Sequence, residues 1–297
     1  MISADSLQVY RGLNIGTAKP DAGLLARIPH HLIDILDFTE PFNIGEFCRL
    51  ADACVEEILS RGMLPVISGG TAYYLKGWLM GLPGTPPADP AIREAVARKW
   101  RNVTDGELKR ALERVDPASA AKIADCDRYR MLRALEVHEQ TGKPLSAFPV
   151  PDTPRGDYDV LLIGLMRTRS DLNRRIEERV DAMFTGGLGA EVAALREQGA
   201  ERGHPGMKAI GYREWFSPDG GQDPEEQDVR DLVVRNTRRY AKRQMTFFAS
   251  LPGVRWFDAA DNPDAPGGVV ETVSVFLGAQ KAADASLDQG SVRGHNP

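Results

Sequence analysis

A chain of 297 residues, 42% apolar and 27% charged, has the composition of an ordinary soluble globular protein and the length for one α/β domain with an insertion. No run approaches the ~20 apolar residues of a membrane span, and no basic-then-apolar leader opens the sequence, so a cytoplasmic protein with no membrane partner is expected. The net charge of −5 argues against indiscriminate polyanion binding, and Cys48, Cys54 and Cys126 with five scattered histidines offer neither a disulfide framework nor metal-site spacing.

Residues 2–6 read as the end of a strand running into a loop, and residues 32–36 predict a short strand. Asn43 followed by Glu46 marks a helix start with a capping box, and Ile44, Phe47, Ala51, Cys54 and Ile58 form its expected buried stripe. Residues 64–67 predict an apolar strand that ends in Ser68-Gly69-Gly70-Thr71 and passes into another helix. Strands alternating with helices imply βαβ units and a parallel sheet.

Residues 81–90 form a Gly/Pro-rich linker, beyond which only helices are expected. Thr104 with Glu107 is a capping box, and Asp116-Pro117 is an N-cap with proline at the first helical position. A further helix over 127–141 stops at Gly142. After a second linker at 144–154, strand character returns at 160–165. Helices follow at 170–184, 188–198 and on to a long one ending near Phe248, then an edge strand at 254–257 and a last helix at 269–277. The tail 279–297 is expected to be disordered. The expected organisation is an α/β core over 1–87 and 156–278, interrupted by a helical unit at 88–155.

Four segments carry candidate chemistry. Asp5, with Ser6, Leu7 and Gln8, stands at the carboxyl edge of a strand, where such folds place ligands, though an Asp there also caps a turn. Ser68-Gly69-Gly70-Thr71 either lets a partner approach the backbone or simply makes a tight turn. On the helix Arg128-Tyr129-Arg130-Met131-Leu132-Arg133, Arg130 and Arg133 are spaced to hold adjacent phosphates or to form a solvated face. Lys208-Ala209-Ile210-Gly211-Tyr212-Arg213 and the run from Arg235 to Phe248 complete the set. Arg235, Arg239 and Arg243 make one basic stripe with Lys242, interleaved with Tyr240 and Phe247, a pattern suited to looped RNA. Arg174, Arg175 and Arg179 alternate with Glu177 and Glu178, the usual mark of a salt-bridged surface, with a diphosphate contact as the alternative, and His30-His31 reads as a packed pair.

Taken together, "SADSLQVYRGLNIGTAKP", "PHHLID", "SGGTAYYLKGWLMGLP", "RALEVHEQTGKPLS", "KAIGYREW" and "RRYAKRQMTFF" resemble the tRNA dimethylallyltransferase (isopentenyl-tRNA transferase) family, in order and across the chain to about Phe257. The resemblance implies a P-loop-NTPase-like parallel sheet with an inserted helical tRNA-binding domain. It further implies transfer of a dimethylallyl group from dimethylallyl diphosphate to N6 of adenine 37 in tRNA, assisted by Mg²⁺, by a monomeric enzyme. Carried over by position, Asp5 is the general base and Thr71 a further catalytic and tRNA-contact residue. Ser6, Leu7, Gln8, Arg93, Tyr129, Arg130, Met131, Leu132, Arg133, Lys208, Gly211, Tyr212, Arg213, Lys242 and Arg243 become tRNA contacts, and Arg175 a diphosphate contact.

The family also carries a G-x-x-x-x-G-K-[ST] loop ahead of the "SADS" segment, whereas the sequence as given opens at Met1-Ile2-Ser3-Ala4. The expectation is therefore that the first strand, the P-loop and the first helix are absent. A start codon placed too far downstream accounts for this; a truncated, catalytically inactive tRNA-binding remnant is the alternative.

Overall fold

The computed structural model describes residues 1–259 and 268–278, so the expected tail at 279–297 lies outside the described residues. The chain divides into two compact units. One comprises Met1–Asn43, Leu50–Tyr74 and the chain from Gly156 onward; the other comprises Ile44–Arg49 and Leu75–Arg155.

The first unit is α/β. Strand β1 (Ile2–Ser3) pairs in parallel with β2 (Ile67–Ser68), and Ile2 also bridges His31 on its other side. A second parallel ladder joins β3 (Ile163–Met166) to β4 (Arg255–Asp258). The single expected sheet is thus two small ladders among the described residues. The strand expected at 32–36 does not form. Leu32 and Asp34 have φ of 64° and 57°, a left-handed backbone no strand can pass through, so only His31 and Leu36 make isolated bridges.

Helices α1 (Ala22–Arg27), α8 (Arg169–Thr185), α9 (Leu188–Glu197) and α10 (Glu226–Phe248) belong to this unit; α2 (Ile44–Ser60) contributes its later turns. One core cluster gathers Val9, Tyr10 and Leu13 with Leu188, Val192 and Leu195 of α9 and with Met207 and Tyr212. A second sets Ile176 and Val180 of α8 against Val229 and Val233 of α10. The described residues close on a helix over 268–278.

The second unit is helical. It takes in most of α3 (Ala72–Met80), then α4 (Pro90–Lys99), α5 (Asp105–Val115), α6 (Pro117–Lys122) and α7 (Arg128–Thr141). It begins earlier than position 88 because α3 is tied to its far end. Arg155 N–H donates to the Leu79 carbonyl at 2.9 Å, and its guanidinium lies 5.2 Å from the Trp78 ring. The helix boundaries follow local chemistry. Thr104 and Glu107 form the reciprocal capping box, Asp127 caps α7, and Gly142 ends it in the left-handed conformation at φ 68°. Val96, Leu108, Leu112, Met131 and Ala134 fill the core. Among the described residues no helix is long and apolar enough to cross a membrane.

Candidate active site

In the α/β unit, β1 runs directly into Asp5. Its carboxylate Oδ1 accepts the backbone N–H of Leu7 at 2.8 Å and of Gln8 at 3.3 Å, closing a tight turn. Both bonds fall on Oδ1, and among the described residues no hydrogen bond falls on Oδ2. Thr71 meets this turn from the end of β2. Its Oγ1 accepts the Ser6 N–H at 2.9 Å, and its own N–H donates to the Ala4 carbonyl at 3.1 Å. The close approach requires glycine, because a Cβ on Gly69 would overlap the Ala4 backbone.

Gln8 is fixed from both ends. Its Oε1 accepts from Ser3 Oγ at 2.9 Å, and its Nε2 donates to the Thr17 and Ala18 carbonyls at 3.3 and 3.4 Å. Leu7 packs against the core. Asp5 therefore does cap a turn, and it does so with one oxygen only.

Arg179 and Tyr240, which the sequence offered as a possible diphosphate contact and as an aromatic of the basic stripe, stand within electrostatic reach of Asp5. Burial lowers the Arg179 pKa, and Asp5 opposes that shift. Burial, then Asp5, raises the Tyr240 hydroxyl above its usual value. The Arg174, Arg175 and Arg179 triplet is not one uniform surface. Arg174 pairs with Asp171 at 2.5 Å and Glu178 at 2.7 Å, and Arg175 pairs with Asp171 at 3.1 Å. Arg179 makes no ion pair among the described residues. The sequence signal for it was weak: Arg179 directly precedes the buried Val180, so it leaves the helix beside the core stripe.

The segment from Lys208 to Arg213 divides in two. Lys208 and Arg213 are exposed and line a basic concavity of about 510 Å³ with Arg202, Gly203 and Met207. Tyr212 and Gly211 are buried, which corrects the expectation that they touch RNA. The Tyr212 hydroxyl donates to Glu191 Oε1 at 2.5 Å and accepts the Gly16 N–H at 3.0 Å. Glu191 also accepts the Asn14 and Ile15 N–H groups at 3.0 Å each. Gly211, at φ +99°, adopts a backbone that favours glycine and would bring a Cβ within 3.6 Å of Gly16 Cα. These residues hold the 13–17 segment that in turn holds Gln8.

Helix α10 presents Arg235, Arg239, Lys242 and Arg243 at the surface, with the Arg243 guanidinium 5.9 Å from the Tyr240 ring. In the helical unit, Arg93 and Arg133 share the buried Glu136 carboxylate, at 3.7 and 3.5 Å. Tyr129 is 68% exposed, and Arg130 is exposed beside Asp127. Met131 is fully buried and Leu132 packs on the same core, so the side-chain contacts expected of them are corrected to packing. Helical periodicity turns those two inward while Tyr129, Arg130 and Arg133 stay accessible to different degrees.

Among the described residues no group of three or more His, Cys, Asp or Glu side chains is placed to hold a metal. Magnesium is commonly held by substrate phosphates and only one or two carboxylates. Among the described residues there is thus no preformed cage for the expected Mg²⁺.

A family model described as IPP transferase matches residues 8–251. The chain belongs to that family. It is 44% identical over 269 residues to a tRNA dimethylallyltransferase of Geobacter sulfurreducens, covering 89% of this chain and 85% of that protein. A tRNA dimethylallyltransferase of Rhodopirellula baltica is 41% identical over 283 residues, 93% of this chain and 84% of the relative. Among solved structures, the full-length tRNA isopentenylpyrophosphate transferase of Bacillus halodurans is 35% identical at a TM-score of 0.66, covering 97% of this chain and 90% of that one. A eukaryotic dimethylallyltransferase acting on tRNA shares the fold at a TM-score of 0.75 and 24% identity, over all of this chain and 74% of its own.

Proposed function

We propose that this family member is a cytoplasmic, monomeric enzyme that moves the dimethylallyl group of dimethylallyl diphosphate to N6 of adenine 37 in tRNA. The observation that carries the reading is the Asp5 turn, where Oδ1 is committed to two backbone N–H groups and Oδ2 carries no hydrogen bond among the described residues. In the reaction the N6 lone pair forms a bond to the allylic C1 while the C1–O bond breaks and its electrons leave with diphosphate. The N6 proton, made acidic as nitrogen turns cationic, passes to Asp5 Oδ2. Thr71 holds the turn through Ser6, so Oδ2 keeps its position as the base enters. Extruding the adenine from its stack is the usual cost of chemistry on a base.

Arg179 is the guanidinium that suits the leaving diphosphate better than Arg175, because Arg175 is committed to Asp171, while Arg179 lies within electrostatic reach of Asp5 and makes no ion pair among the described residues. Lys208, Arg213, Lys242 and Arg243 supply phosphate contacts on the α/β unit. Arg93, Arg130 and Arg133 supply them on the helical unit, where Tyr129 offers a ring for stacking. Magnesium, when present, would neutralise charge on the diphosphate. The inactive-remnant alternative draws no support from relatives that carry the enzyme's name over most of their length.

The test is Asp5→Ala. The single-turnover rate is expected to fall by about 10²–10⁴, with binding of an anticodon stem-loop RNA unchanged within experimental error. Equal loss of rate and binding would make Asp5 a structural residue and remove the base from the mechanism.

A further inference from the structure

Helix α10 does more in this structure than display cations. Its inner edge makes two hydrogen bonds to one backbone atom: Tyr240 Oη donates to the Gly70 carbonyl oxygen at 3.0 Å, and Gln244 Nε2 donates to the same oxygen at 2.7 Å. The two donors are one helical turn apart, so both reach one acceptor from one face. The fit is close, since a Cβ on Gly70 would overlap the Gln244 amide. The next residue is Thr71, whose Oγ1 accepts the Ser6 N–H and whose N–H donates to Ala4. The Asp5 turn lies between those two bonds. Tyr240 is also within electrostatic reach of Asp5, and on its outer side its ring lies beside the Arg243 guanidinium.

We propose that Tyr240 and Gln244 are positioning residues whose shared bond to the Gly70 carbonyl couples RNA held on the α10 stripe to the placement of Thr71 and Asp5. The inference rests on the reading of α10 as an RNA-binding helix and adds a task to it. Lys242 and Arg243 project to solvent from the turn that carries the two donors. A phosphate held there restrains that turn, and the restraint passes to Gly70 through two directed bonds instead of through loose packing. A carbonyl gripped by two donors loses little freedom when one is cut and much more when both are cut. Tyr240→Phe and Gln244→Ala should therefore each do little, and the pair together should do more than their sum.

The experiment uses the full chain as wild type, Tyr240→Phe, Gln244→Ala, the double variant and Gly70→Ala. An anticodon stem-loop RNA is the probe. Two quantities are read: the hydrogen-exchange rates of the Ser6 and Thr71 amides with and without RNA, and single-turnover transfer from dimethylallyl diphosphate. In the wild type RNA should slow exchange at both amides. In the double variant that slowing should disappear while RNA affinity stays within about twofold and the rate falls about tenfold to a hundredfold. Gly70→Ala, whose Cβ pushes the Gln244 amide aside and leaves Tyr240 in place, should behave like Gln244→Ala alone.

Retained slowing and rate in the double variant would overturn the coupling. So would a loss of RNA affinity proportional to the loss of rate, because the two residues would then be plain RNA contacts. Failure of the functional reading has a separate signature. A wild-type chain that binds RNA but transfers nothing contradicts the transferase, and its exchange data still decide the coupling. A wild-type chain that binds no RNA overturns both.

Discussion

Glu191 in the α/β unit and Asp116 in the helical unit are both carboxylates spent on backbone N–H groups, yet they work at very different range. Asp116 accepts Ser119 N–H at 3.0 Å and Ser146 N–H at 2.9 Å, capping the helix that begins at the next residue. Glu191 accepts Asn14 and Ile15 N–H groups that lie 177 and 176 residues away, and it takes the Tyr212 hydroxyl as well. The Asp116 device in the helical unit thus stays within a short stretch of chain, reaching one residue three positions on and another 30 positions on. The α/β unit is pinned by a network that exists only after distant segments meet, and that network ends on the loop supporting Gln8 and the Asp5 turn.

Removing the long-range device should cost most. Glu191→Ala strands two N–H groups and a buried phenol, and is expected to lower stability by about 2–4 kcal/mol. Urea denaturation should show a lower midpoint with an unchanged slope. A loss no larger than that of Asp116→Ala, expected at about 1–2 kcal/mol for an N-cap, would erase the contrast.

The two devices should also fail at opposite ends of the pH scale. Burial, and then Glu191, raises the Tyr212 hydroxyl above the ordinary tyrosine value. The unfolded chain gives up that proton first, from about pH 10, so stability is full below that point and falls as pH rises through the folded value. Tyr212→Phe should flatten this alkaline limb. Burial alone would raise Asp116, but the hydrogen bonds from Ser119 and Ser146 outweigh it and hold its pKa below the usual carboxylate range. Its contribution is present above about pH 4 and is lost as pH falls through the lower folded value. Asp116→Ala should flatten that acid limb and leave the alkaline one alone. A crossed result would mean the two devices are not separate.

The smallest effects belong to the exposed cations. Lys242→Ala and Arg243→Ala should leave the denaturation midpoint in place. Each should reduce the slope of log RNA affinity against log salt by about 0.7. An unchanged slope would remove those residues from the RNA contact set.

The same difference in range explains what was legible in the sequence. The Thr104–Glu107 box, the Asp116 cap and the α7 boundaries at Asp127 and Gly142 could be read because cap and helix are neighbours. Helix α10 and its basic stripe followed from spacing, while the roles expected of Asp5 and Thr71 came from the family resemblance, since a strand end alone also fits a turn cap. The misplaced strand at 32–36 shows the limit: its apolar residues suggest a strand, the one warning is Asp34, and tertiary context reveals the positive φ at Leu32 and Asp34. Tyr212 and Met131 looked like contact residues because motif position says nothing of burial. Arg175 and Arg179 could not be told apart, because the charge pattern does not say which guanidinium an acidic neighbour has claimed.

The central claim is tested most directly by incubating the full chain with an anticodon stem-loop RNA and dimethylallyl diphosphate and weighing the RNA by mass spectrometry. The expected result is a gain of one isopentenyl unit, located by fragmentation on adenine 37 and lost in Asp5→Ala. RNA that is bound with a steep salt dependence but recovered unmodified would contradict the transferase and leave a binding protein in its place.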